Sequence, residues 1–144
     1  MNKPLFRLIY SSLRKENCDA SEIEKILSAC KKNNPGKDIT GVLLHSDKKF
    51  IQYLEGDSKE ILELYDLIKE DDRHKSVVML SYGPIKSRNF PSWHMGYKNV
   101  SLDELNFQTD IDREDKEVFV SMIEGKKQND DRGITVLKKF FESA

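Results

Sequence analysis

The chain has 144 residues, of which 38% are hydrophobic and 34% charged, with a net charge of −1. That length suits one domain with a sizeable core, and the charge balance supplies no bulk field to draw in nucleic acid or acidic lipid. No apolar run approaches the roughly 20 residues a membrane span needs, and the opening MNKPLFRLIYSS turns polar too soon for a signal peptide. Both features point to a cytoplasmic protein.

Residues 4–10, PLFRLIY, alternate as a first strand with Phe6, Leu8 and Tyr10 on one face. SSLRKENCD then reads as a polar loop. Asp19 and Glu22, like Ser21 and Glu24, are spaced as capping boxes, which starts a helix near residue 20. Ile23, Ile26, Leu27, Cys30 and Asn34 share one face of that helix. NNPGKD is expected to end it, because Pro35 disfavours helical backbone at Asn34 and Gly36 permits a turn.

ITGVLLHS and KFIQYLEG read as the second and third strands, joined by DKK. Asp57 and Glu60 form another capping box, and Ile61, Leu64, Tyr65 and Ile68 give a second helix its apolar stripe, ending near EDDRH. SVVMLSYGPI is a fourth strand. After KSRNFPS, WHMGYKNV is a fifth. Past residue 100 the chain turns acidic, and short helices follow around Val118, Phe119, Met122 and Ile123 and around Leu137, Phe140 and Phe141. Helices this short need a surface to pack on, and the sheet face left open by the first two helices would supply one. The fold class is α+β, a ferredoxin-like β-α-β-β-α-β-β sheet with two helices on one face. Residues 1–100 form the domain and 101–144 a C-terminal helical extension.

Cys18 and Cys30 match no metal-ligand spacing, and His45, His74 and His94 are scattered, so no metal site is expected. Gln52 is more informative. It lies between Phe50 and Leu54 on one face of the third strand, and a buried amide without a partner costs about 1–3 kcal/mol. Tyr10 closes the apolar face of strand one and Asn34 that of helix one. The three polar groups would line a slot for a planar polar ring, with Ile26 and Ile68 as aliphatic walls. Taken singly, each has an ordinary reading: a core tyrosine, an amide at a sheet edge, a helix-ending asparagine. Their joint occurrence carries the argument.

Five separated motifs agree with one family. LIYSS with Tyr10, NNPGKDITGVLL with Asn33 and Asn34, FIQYLEG with Gln52, DDRH with Arg73 and His74, and RNFPSWHMGY with Trp93 and Met95 follow in order. Over roughly residues 4–100 the chain resembles a BLUF domain, a blue-light sensor using flavin, of the short stand-alone type. The resemblance implies a non-enzymatic photoreceptor that binds a flavin non-covalently, FAD first, with FMN or riboflavin as the other choices. It makes Tyr10 the photochemical electron and proton donor and Gln52 the switching amide beside the flavin. It assigns Asn34, with Asn33 in support, to the pyrimidine edge, Ile26 and Ile68 to the ring faces, Arg73 and His74 to the ribityl phosphate end, and Trp93 and Met95 to signal relay. Leu67 stands where family members often carry a basic residue, with Lys69 two positions on. The implied partners are the flavin, a separate downstream protein and a second copy of the chain as a homo-oligomer, without nucleic acid or membrane. Two alternatives belong to other classes. An acylphosphatase-like hydrolase would use Arg14 in a phosphate-cradling loop, and an RNA-binding sheet would show basic and aromatic residues on its open face.

Overall fold

The computed structural model describes residues 4–15, 20–45, 49–71, 74–90, 96–99, 117–118, 120–122, 124, 126 and 133–137. Its elements run β1 (Leu5–Arg14), α1 (Ala20–Lys37), β2 (Thr40–His45), β3 (Lys49–Asp57), α2 (Ser58–Glu70), β4 (His74–Ile85) and β5 (Gly96–Asn99). This is the β-α-β-β-α-β-β order of the hydrophobic pattern. The strands form one sheet in the order β4-β1-β3-β2-β5. β1 is antiparallel to both β3 and β4, β2 is antiparallel to β3, and β5 runs parallel to β2.

Alternation along the strands builds two cores. Leu8, Tyr10, Leu43, Phe50 and Leu54 meet Ile23 of α1 and Ile61 and Tyr65 of α2 on the helix side. Ile9, Val42, Leu44, Ile51 and Tyr53 point the other way and meet Met122, Ile134, Val136 and Leu137 from helical residues after 116. Each of these side chains, once buried, contributes about 1.5–3 kcal/mol. α2 is well specified at its start: Asp57 is the N-cap, and its carboxylate accepts from the Glu60 amide at 3.4 Å.

Two boundaries differ most from the sequence reading, while β4 starts at His74, two residues before Ser76. β1 continues through SSLR instead of ending at Tyr10. Ser11 and Ser12 are buried there because β1 is flanked by strands on both sides and Ser12 has a side-chain partner, Nδ1 of His74, at 2.8 Å. α1 runs through Pro35 and Gly36 to Lys37. A proline withholds its own amide and crowds the carbonyl four residues back, but this one falls in the last turn, so little helix lies beyond it to be broken. The helix stops where Asp38 adopts a left-handed φ of 56°, a conformation aspartate tolerates better than most residues.

Candidate functional site

Tyr10 and Gln52 sit directly opposite each other in the β1–β3 register. The Tyr10 hydroxyl donates to Gln52 Oε1 at 2.5 Å, and both residues are buried. The glutamine amide among apolar neighbours therefore has a protein partner, a phenol. Burial pushes the Tyr10 hydroxyl well above the usual tyrosine range, and Cys30, Asp71 and Tyr65 push the same way. Tyr10 is thus a neutral proton donor across the physiological range.

Irregularities in β4 flank this pair. Ile9 pairs with Ser81 while Tyr10 pairs with Met79, which leaves Leu80 as an extra residue. Ser11 pairs with Val78 while Leu13 pairs with Lys75, so Ser76 and Val77 together oppose Ser12. Ser76 takes a left-handed φ of 51° there. Such bulges re-aim side chains. Leu80 joins the core on the far face, whereas Val77 and Met79 pack on the helix side. His74 is buried near the same side, its ring 4.6 Å from that of Phe50 and 6.1 Å from that of Tyr10.

Above the sheet, Ile26 and Cys30 of α1 and Leu64 and Ile68 of α2 are half-buried and pack against the helix-side core. α2 lies close on β1, β3 and β4. The Tyr10–Gln52 pair forms a polar patch in the floor under these apolar side chains. An apolar-walled space with a few aimed polar groups is what a planar heteroaromatic ring requires, so the residues present fit a flavin.

The structure brings together Tyr10, Gln52, Ile26, Ile68 and His74 on the helix side of the sheet. Asn33 is exposed on α1. Asn34 lies within α1, but its side chain is outside the described residues, as are Arg73, Trp93 and Met95 entirely. Leu67 is exposed, and Lys69 pairs with Asp66 at 3.2 Å and lies 4.9 Å from the Tyr65 ring centroid.

Sequence reasoning missed the Ser12–His74 bond and the position of Glu55. Glu55 is wholly buried on the other face of β3 and accepts four hydrogen bonds. They come from the Thr40 hydroxyl (2.8 Å), the Tyr53 hydroxyl (2.9 Å), the Asn89 amide (2.7 Å) and the Phe90 amide (2.8 Å). The signal was available: Ile51, Tyr53 and Glu55 alternate onto one face, which places a carboxylate in line with two buried apolar groups.

Comparison with known proteins agrees with this geometry. The chain matches the family model BLUF, described as sensors of blue-light using FAD, over residues 5–96. It is 31% identical over 103 residues to photoactivated adenylate cyclase subunit alpha of Euglena gracilis, spanning 70% of this chain and 10% of that protein. It is 31% identical over 100 residues to the blue light- and temperature-regulated antirepressor BluF of Escherichia coli K12, spanning 69% of this chain and 25% of that one. Among solved structures, the dark state of the BLUF protein BlrB superposes with a TM-score of 0.65 at 31% identity, covering 69% of this chain and 75% of that one. The BLUF domain of BlrP1 superposes with a TM-score of 0.68 at 26% identity, covering 97% and 91%.

Proposed function

Because the chain belongs to the BLUF family of flavin-using blue-light sensors, we propose that Tyr10 and Gln52 are its photochemical switch and that it acts as a sensor module. The observation that carries this is the buried Tyr10–Gln52 hydrogen bond beneath Ile26 and Ile68. FAD is the flavin the family model names. When bound, it supplies blue-light absorption and an excited state that takes an electron from a nearby phenol.

The chain's own residues do the rest. A phenol that loses an electron becomes strongly acidic, and Gln52 Oε1 is already placed to receive the Tyr10 proton. An amide presents a donor on one side and an acceptor on the other. Once both the electron and the proton have returned to Tyr10, Gln52 can stand rotated or tautomerised, with its donor and acceptor exchanged. That exchange alters the hydrogen bonding offered to a ring above it and shifts absorption slightly to the red. Ile26 and Ile68 would exclude water from the faces of the bound ring. Asn34 and Asn33 would orient its edge, and Arg73 and His74 would hold the phosphate end.

The output is a local switch coupled to a bistable element, here the segment of Trp93 and Met95 leading into β5. It is read by a separate protein or by a second copy of the chain, in the cytoplasm, and the residues after 100 form the extension through which it passes. No described helix is long and apolar enough to cross a membrane. The competing readings lose their supports. Arg14 is the last residue of β1, not part of a loop, and the second sheet face is covered by Met122, Ile134, Val136 and Leu137. The test is to purify the protein with its chromophore, release it by heat and identify it by chromatography. FAD is the expected product. Protein that neither retains nor takes up any flavin would overturn the reading.

A further inference from the structure

We propose that Glu55 is a positioning residue that ties the β4–β5 connection to the strand carrying Gln52 and so passes the light response from β3 to β5. The inference rests on the sensor reading above and concerns a residue on the opposite face of the sheet.

Gln52 and Glu55 lie on the same strand, β3. Gln52 looks into the helix-side space. Glu55 looks the other way, where its two oxygens divide their partners evenly. Oε1 takes the Asn89 amide and the Tyr53 hydroxyl, and Oε2 takes the Phe90 amide and the Thr40 hydroxyl. Both hydroxyls are themselves acceptors. Asn89 Nδ2 donates to the Tyr53 oxygen at 3.0 Å, and an Arg88 guanidinium nitrogen donates to the Thr40 oxygen at 2.8 Å. Each hydroxyl hydrogen is thereby left for Glu55, and the carboxylate works purely as an acceptor.

Three consecutive residues of the connection, Arg88, Asn89 and Phe90, are fastened to β2 and β3 in this way. Arg88 adds bonds to the Glu55 carbonyl at 3.3 Å and the Asp38 carbonyl at 2.7 Å, with an ion pair to the Asp38 carboxylate at 3.1 Å. Phe90 is buried, its ring 5.5 Å from that of Tyr53. The chain goes on to β5, which pairs with β2 from Val42↔Gly96 to His45↔Asn99. A displacement of β3 at Gln52 therefore reaches Asn89 and Phe90, on the chain leading to β5, through the Glu55 hydrogen bonds, which are stiff because breaking them strands a buried carboxylate.

Glu55→Gln is an isosteric test. A glutamine offers one oxygen, and the fixed amides of Asn89 and Phe90 approach opposite carboxylate oxygens. Whichever way the new amide turns, it sets its own NH2 against one backbone N–H. The readout is hydrogen exchange of flavin-loaded protein in darkness and under blue light, with the absorption change followed in parallel. The variant is expected to keep the red shift, because Tyr10 and Gln52 are untouched. Whichever of the Asn89 and Phe90 amides faces the new NH2 should exchange in the dark about fivefold faster, the size of one buried hydrogen bond. The light-minus-dark exchange difference of residues 96–99 should vanish. A purely structural Glu55 would speed dark exchange and leave that difference intact, and this result would overturn the proposal. Should Glu55→Gln fail to fold, Tyr53→Phe removes one donor and the acceptor of Asn89 while sparing both amide bonds. It should reduce the same light-induced difference, and an undiminished difference would overturn the proposal. Loss of the red shift in the parent protein would instead sink the sensor reading beneath it.

Discussion

Tyr10→Phe removes one oxygen atom from the floor of the site and leaves the ring where it is. The hydroxyl is buried and donates to Gln52 Oε1, so the substitution takes a partner from a buried amide. That costs about 1–3 kcal/mol, with no cavity term because the aromatic ring stays packed near Tyr65. For a chain of this length each kcal/mol moves the melting temperature by about 2–4 °C, so a fall of about 2–12 °C is expected. Flavin should remain bound, since Ile26 and Ile68 are unchanged. The light-induced red shift should be absent, because Tyr10 is the phenol bonded to Gln52. Melting followed by circular dichroism and a light-minus-dark difference spectrum read both effects from one preparation. A melting temperature within about 1 °C of the parent would refute the estimated hydrogen-bond contribution. A normal photocycle would refute the role of Tyr10.

Gln52→Leu fits the volume and the apolar neighbours Phe50 and Leu54 but has no donor or acceptor to exchange, so it should bind flavin and show no red-shifted state in the same difference spectrum. Gly41→Ala should cost about 3 kcal/mol or more, because a Cβ there runs into the Tyr53 carbonyl across the β2–β3 pair and neither backbone can yield; urea unfolding checks it, and a loss under about 0.5 kcal/mol would contradict the packing. Stability should decline in alkali. Burial raises Tyr10 and Tyr53 above the ordinary tyrosine value, Tyr53 further because of the Glu55 carboxylate beside it. Above about pH 10 the unfolded chain releases these protons while the folded one keeps them, so the stabilisation is complete below that pH and is lost as pH rises beyond it. Urea midpoints measured from pH 8 to 11 should be level and then fall, whereas a rise would reverse the sign of the argument.

Strand alternation made the central pair legible. Placing Tyr10 and Gln52 on the same face as Leu8 and Leu54 needs only a period of two, and the register sets them opposite each other. Ser11 and Ser12 were read as loop because hydroxyls carry no strand signal. Their place in a strand depends on β4 and on His74, which lies 62 positions further along the chain from Ser12. The end of α1 is not legible because Pro35 and Gly36 both read locally as helix breakers, whereas the helix carries both in its last turn. The β4 bulges were invisible for a related reason, since a bulge is a relation between two strands and leaves no mark on either alone. Alternation places Glu55 on a buried face, but its network is not legible locally, because three of its four donors, Thr40, Asn89 and Phe90, come from other parts of the chain.

The measurement that bears most directly on the light switch is the absorption spectrum of the purified protein in darkness and immediately after blue light. The structure predicts a flavin spectrum that moves slightly to the red and returns in the dark, as expected if the amide beside Tyr10 changes its hydrogen bonding. A bound flavin whose spectrum is unchanged by illumination would contradict it, and the Tyr10–Gln52 bond would then be a structural contact and nothing more.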